Sequence, residues 1–518
     1  MTGWRHASRY IYHNGCHDGA EREFRGFGLV ERIDSEAGSD PATDQPPVLT
    51  RTWFHLGLAP EGKPLPGSLS GLELSPQERR EACRAFKGVM LREEVCGLDG
   101  GVPYLVTEKS YGIELLGRSL AKGDRFHPSA VWQVTESGSV SRHCEGDADD
   151  PRIVHSLVLE KDGYGRPLLS AEVACGRARG KETGIPEVDA EQGKLHAVVS
   201  RNSYAEDWPG NGSHSWRMGM ECGTKTWELT GLNAAAFDAG GLLNAFNGAA
   251  DIDFEDEPSS GLQRRLVEHT ETLFYDENLS GPLEAGLMAF HGLACESYTL
   301  SHTQSLLAYL YGSRVDGSML AEGGFMQRDG SWWARSGRNI YGNEAASSFY
   351  LPSGVVDAFG AVTSIAYDEY NLLVTSVTGP LGNAVAAEND YRTLSPKMIA
   401  DPNGNRTAVE TDALGIVVKS AVMGKAGANE GDTLGSPTAE MEYGFAEFGP
   451  DGVLIKPSWV KTLSRETHAD PATRWLQTVE YSDGMGNVAL AKKQAEPGRD
   501  GLPRWVGTGR TVLNNKGN

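Results

Sequence analysis

Three glycines, Gly360, Gly382 and Gly404, stand 22 residues apart in the last third of the chain. Three aspartates, Asp368, Asp390 and Asp412, keep the same 22-residue step between them. The two series interleave at 11 residues, as in DPNGNRTAVETDALGIVV, where Asp401–Gly404 is followed by Asp412–Gly415. A repeat of this kind constrains the fold more than any single motif. An 11-residue unit holds a strand of roughly six or seven residues and a turn of about four. Two units make a hairpin, and tandem hairpins extend one sheet.

The Asp-x-x-Gly units admit three readings: a metal loop, a pair of catalytic carboxylates, or a repeated turn. Calcium repeats set acidic ligands at alternate positions in a dense glycine-rich frame. Here the intervening residues are Pro-Asn, Ala-Leu and Ala-Phe, so each turn offers one carboxylate. A catalytic pair needs one copy unlike the rest, and none stands out. Turn chemistry remains. The Asp side chain takes backbone amides two residues on, and the Gly supplies the positive φ that closes the turn. The expected structural turn residues are Asp162, Gly165, Asp357, Gly360, Gly382, Asp401, Gly404, Asp412, Gly415, Asp483 and Gly486. Val, Ile, Leu, Thr and Tyr between them favour strands.

A chain of 518 residues predicts two to four structural units. Its 64 glycines are spread along it, which suits many tight turns. With 48 basic and 70 acidic residues, a net charge of −22 argues against a nucleic-acid partner. No apolar run approaches the roughly 18 residues of a membrane helix, and the polar start MTGWRHASRYIYHNG carries no signal-peptide segment. The seven cysteines form no CxxC pair and read as small buried hydrophobes.

Residues 1–230 read as strands and loops, with one well-signed helix: Ser75 caps it, Pro76 opens it, Glu78 closes a capping box and Gly88 stops it. Residues 231–345 mix helix, loop and hairpin, and residues 346–518 carry the repeat. SHTQSLLAYLYG predicts a helix ended by Gly312, and GGFMQRDGSWWARSG a hairpin with Trp332 and Trp333 in its second strand.

Other clusters favour plain readings. His13, Cys16, His17 and Asp18 lie close enough to suggest zinc, yet a structural site needs four ligands fixed by outer partners. Asp251, Asp253, Glu255 and Asp256 lack the central glycine of a calcium loop and read as a solvated acidic loop. Trp332 and Trp333 suggest sugar stacking, but adjacent strand residues face opposite sides, so core packing is favoured. No phosphate loop, HExxH or GxSxG motif occurs, and no catalytic residue, metal ligand or cofactor is expected.

YDEYNLL, with TDALGIV in the same frame, resembles the YD repeat of Rhs proteins, with Asn371 in place of its glycine and Thr411 in place of its tyrosine. HDGAEREFRGFGLVE, RAFKGVMLREEVCGLDG, PYLVTEKSYGIELL, EGGFMQRDGSWWARSG and the long stretch from SFYLPSGVVDAFG to KSAVMGK resemble the B component of bacterial toxin-complex (Tc) insecticidal toxins. That resemblance implies a mainly β fold: an irregular β-rich domain, then a strand-turn-strand sheet forming part of a hollow β shell. It implies a structural, non-enzymatic role in a secreted toxin, the shell enclosing a cytotoxic effector. The implied partners are the C-component Rhs protein and, through an N-terminal part missing here, the A-component translocation pore. The autoproteolytic site belongs to the C component. A cell-surface or secreted Rhs-type carbohydrate-binding or adhesion protein is the alternative.

Overall fold

The computed structural model describes residues 5–19, 21–37, 47–58, 73–118, 130–145, 147–177, 183–207, 216–232, 238–428, 430–450, 454–482 and 487–511. The chain divides into two compact units, one of residues 8–34 and 47–335, the other chiefly of residues 336–518.

The first sheet opens with β1 (Arg5–Asp18), β2 (Glu23–Ala37) and β3 (Val48–Phe54), followed by helix α1 (Pro76–Ala85). Strands β4 (Met90–Gly97), β5 (Leu105–Arg118), β6 (Ala130–His143), β7 (Arg152–Lys161) and β8 (Pro167–Ala174) come next. After α2 (Pro186–Gln192) come β9 (His196–Tyr204), β10 (Glu221–Thr230), α3 (Ala239–Gly248) and β11 (Ala250–Ile252). The unit ends with β12 (Gln263–Phe274), β13 (Ala294–His302), α4 (Gln304–Tyr311), α5 (Gly317–Glu322), β14 (Phe325–Arg328) and β15 (Ser331–Arg335). From β1 to β10 each strand pairs with the next in sequence; the order then runs β12, β13, β15, β14, with β11 joining β12 in parallel.

The second sheet comprises β16 (Arg338–Tyr341), β17 (Pro352–Val356), β18 (Val362–Tyr367), β19 (Val374–Thr378) and β20 (Ala384–Asp390). It continues with β21 (Ser395–Ala400), β22 (Asn405–Thr411), β23 (Val417–Lys425) and β24 (Ala439–Gly444). A separate hairpin of β25 (Glu447–Phe448) and β26 (Leu454–Lys456) intervenes before β27 (Ser458–Arg465), β28 (Trp475–Ser482), β29 (Val488–Ala495) and β30 (Arg504–Arg510). Strands β16–β24 and β27–β30 pair in chain order to make 13 strands. Among the described residues neither sheet closes on itself, and the fold is mainly β.

The upstream half is more regular than the irregular β domain expected from sequence: hairpin follows hairpin there as in the repeat region. Its core lies against the sheet. Leu242 and Phe246 of α3 pack on Leu169, Ala171 and Val173 of β8, Val199 of β9 and Leu229 of β10. Ala82 and Phe86 reach from α1 to Ile113 of β5, with Trp132 and Val134 of β6 alongside. Helix α1 starts with the capping box read from sequence: Ser75 Oγ accepts from Glu78 N, and the Glu78 carboxylate accepts from Ser75 N. Hydrogen bonds from Arg118 and then from Ser75 hold the Glu78 carboxyl down to about 2. Helix α4 ends at Gly312, whose φ is +59°.

Two local expectations change. Asp251 lies in strand β11, paired with Arg264 at 2.7 Å, because the parallel pairing to β12 extends into the acidic stretch. Two of the seven cysteines, Cys16 and Cys175, are only half-buried, since both lie near strand ends. Trp332 and Trp333 are both buried; the Trp333 indole donates to Arg328 O and stacks edge-on to His269 at 4.6 Å.

Candidate functional site: turns and faces of the sheets

The repeat turns share one geometry. Asp357 Oδ1 accepts from Phe359 N at 2.9 Å and Ala361 N at 2.8 Å, while Gly360 has φ +85°. Asp401 Oδ1 accepts from Asn403 N at 2.9 Å and Asn405 N at 2.8 Å, with Gly404 at φ +84°. Asp412 Oδ1 does the same with Leu414 N and Ile416 N, and Gly415 has φ +85°. In the first sheet Asp162 takes Tyr164 N and Arg166 N, with Gly165 at φ +83°. The turn at Gly379–Gly382 keeps the backbone bond and the positive φ, +80° at Gly382, without a carboxylate. Asp483 and Gly486 lie outside the described residues.

Several turns of this type lack the glycine and escape a search for it. Asp276 accepts from Asn278 N and Ser280 N, with Leu279 at φ +55°. Asp368 accepts from Leu372 N and Leu373 N, with Asn371 at φ +52°. The hydroxyl of Tyr391 donates to Asp368 Oδ2 at 2.7 Å. That bond lowers the Asp368 carboxyl and raises the Tyr391 phenol to about 12.

One Asp-x-x-Gly unit behaves differently. Asp432, in DTLG, has a fully buried side chain that reaches across the fold instead of capping its own turn. Its carboxylate accepts from Thr438 Oγ1 at 2.6 Å, His468 Nδ1 at 2.5 Å and Ala469 N at 2.8 Å. Ala469 is held at φ +57°, a conformation that disfavours a side chain. Burial by itself raises the Asp432 carboxyl, but bonds from Ala469, Thr438 and His468 outweigh it and leave it lowered. The cluster clamps the β23–β24 connection to the β27–β28 connection, at the end of the β24–β27 pair opposite the β25–β26 hairpin.

Several charged residues elsewhere pair locally. Arg166 bridges Asp162 and Asp207 and lies 5.0 Å from the ring centres of Tyr164 and Tyr204. Burial raises the Asp162 carboxyl, yet the Arg166 bonds leave it lowered. His13 meets Glu31 at 3.0 Å, and its bond, followed by that of Arg51, lowers the Glu31 carboxyl. Asp18 pairs with Arg25. Among the described residues no three His, Cys, Asp or Glu side chains group as metal ligands would, and no helix is long and apolar enough to cross a membrane.

The two faces of the first sheet contrast across β6–β12. On one, Leu157, Ala171, Val199 and Trp227 follow one another in register and belong to the core under α3. On the other, one register row reads Ser139, Ser156, Glu172, Val198, Glu228. The next reads Ser170, Ser200, Thr226, Glu268. A hollow of about 610 Å³ opens on this second face, lined in part by Ser156, Glu172, Val198 and Ser200.

Long open sheets and turn-locked hairpins define a protein built of chain-order antiparallel β-sheet. Residues 1–57 match the insecticide toxin TcdB middle/N-terminal region, and residues 81–216 match the TcdB middle/C-terminal region. These two stretches are thus similar to the middle regions of a Tc-toxin B component, the group the sequence resembles. Solved structures agree over nearly its whole length. The crystal structure of TcdB2-TccC3 has a TM-score of 0.75 at 23% identity, covering 99% of this chain and 28% of that one. TcdB2-TccC3-Cdc42 gives 0.73 at 21%, covering 99% and 30%. The Photorhabdus luminescens Tc holotoxin pore gives 0.73 at 21%, again 99% and 30%. This chain therefore spans under a third of the length of those chains. Comparison with curated protein sequences finds no match.

Proposed function

We propose that this chain is a wall segment of a Tc-type toxin shell, its strand-turn region an Rhs/YD-type array that joins a C-component Rhs protein and encloses that protein's cytotoxic effector. The observation that carries the reading is the chain-order pairing of both sheets, which leaves open edges at β1, β14, β16 and β30 among the described residues. All seven residues of β30 are exposed. An unpaired edge is a template for a strand from another chain. The role is enclosure and not chemistry: a closed wall blocks diffusion of the effector, and ladder bonds spread stability over many strands. Secretion as part of the toxin and contact with an A-component pore belong to the same reading, as do the unit assignments 1–230, 231–345 and 346–518. The test is co-expression with a C-component Rhs protein, followed by size-exclusion chromatography, negative-stain microscopy and protease challenge. A hollow particle that protects its contents supports the wall; a folded monomer that ignores the partner defeats it.

A further inference from the structure

We propose that the hollow at the ends of strands β6–β9 is a binding site for a small linear diamine or polyamine, held by one ammonium group at Asp150 and Gln192. Asp150 lies in the β6–β7 connection, and Gln192 is the last residue of α2. Arg177, just past β8, ties the two together: its backbone N donates to Gln192 O at 2.9 Å and its Nη2 to Asp150 O at 3.3 Å. The same Nη2 lies 2.7 Å from Asp150 Oδ2. Two acceptors are left over. Asp150 is only 6% exposed, and its Oδ1 has no hydrogen-bond partner. Gln192 Oε1 is likewise buried without a donor. Both residues line a hollow of about 670 Å³, together with Ile153, Val154 and Ala174.

A buried acceptor without a donor has lost its hydration and gained nothing in return. Two such oxygens at one hollow call for a ligand rich in N–H groups, and the carboxylate favours a charged one. An ammonium carries three donors and no acceptor, which suits both oxygens. The hollow is too large for a single bridging water and has the size of a small-ligand site. Charge agrees with this choice. Glu145, Asp147, Asp150 and Glu191 line the hollow against Arg152, Arg177 and Lys194. Glu145 pairs with Arg152 at 3.2 Å and Glu191 with Lys194 at 2.6 Å, which leaves Asp150 Oδ1 for a guest. Among the described residues no three His, Cys, Asp or Glu side chains group as metal ligands, so the cation is organic. Ile153, Val154 and Ala174 give its methylene stem an apolar wall, and the exposed carboxylate of Glu191 suits a second ammonium. Arg177 Nε, also buried without a partner, is left to a water.

The experiment is isothermal titration calorimetry of the full chain with putrescine, and with butanediol and succinate as uncharged and anionic molecules of similar length. A single saturable site for putrescine alone is expected. Gln192→Met, which keeps the Asp150–Arg177 pair, should weaken binding about tenfold, and Asp150→Asn should abolish it. Circular dichroism and the urea midpoint of each variant establish that it is folded. Where Asp150→Asn fails to fold, Gln192→Met carries the test alone. Putrescine heats that do not saturate, binding unchanged in folded Gln192→Met, or a preference for succinate each overturn the site. None of these outcomes touches the wall reading, which does not depend on the hollow.

Discussion

The two sheets share one ladder and differ in what backs it. The sheet of residues 8–335 buries Leu169, Val173, Val199, Leu229 and Leu242 almost completely, in clusters bridged by α1 and α3. In residues 336–511 the buried apolar residues are Ala345, Ala408 and Ala421, among those described. Phe359, Leu381 and Leu414 stand exposed at its turn tips. A half-buried sheet of this size gains little from apolar area and depends on backbone bonds, cross-strand pairs and turn geometry. What replaces the helices is a set of local locks: the Asp-capped turns, and the Asp432 clamp between the β23–β24 and β27–β28 connections. The difference teaches that hairpin repetition supplies the architecture in both units, while rigidity comes from packing in one and from hydrogen-bonded turns in the other.

The contrast is broken most directly by Leu242→Ala, which removes a fully buried side chain between α3 and the sheet. It should cost about 2–5 kcal/mol, read as a shifted urea midpoint, whereas Leu381→Ala in an exposed turn should stay within about 0.5 kcal/mol. Equal losses would mean that the repeat sheet has a core after all. Next in size is Asp432→Ala, which strands the Thr438 hydroxyl and the Ala469 amide and removes the carboxylate that faces buried Arg465. A loss of about 2–4 kcal/mol, with faster hydrogen exchange at residues 422–470, is expected.

The same carboxylate gives a pH signature. Because the Asp432 carboxyl is lowered in the fold, its stabilisation is present above the ordinary unfolded value and lost as pH falls through the folded one. Asp432→Asn should flatten the acid limb of the stability curve; an unchanged limb would show that other carboxylates set it. Gly404→Ala places a side chain at φ +84° and should cost about 1–2 kcal/mol, while Asn371→Gly, relieving φ +52°, should be neutral or slightly stabilising. The smallest effect is expected of Tyr391→Phe. The raised phenol means stability that is whole below the unfolded tyrosine value and lost as pH rises towards about 12, so the ultraviolet titration should lose its most alkaline tyrosine.

Much of this architecture is legible in the residues. The glycine period, the α1 capping box, the α4 stop at Gly312 and the hairpin of Trp332 and Trp333 are local, because a positive φ or an unpaired amide restricts which side chain fits at that position. Turns such as Asp276 to Ser280 are less legible, since leucine stands where glycine is favoured and the surrounding ladder over-determines the conformation.

Tertiary structure alone decided two things. DTLG at 432–435 has the same residues as a self-capping turn, yet Asp432 serves His468 and Ala469, 36 and 37 residues away, because the pairing of β24 with β27 brings that loop over it. The facing of the first sheet was equally hidden. Register slips at Ser110/Tyr111, Val158/Glu160 and Thr226/Trp227 each reset the two-residue alternation, so the pattern in the sequence does not say which side a residue takes. Local chemistry set where the chain turns; the bulges and the helix laid on one side set which face is buried and which is left bare.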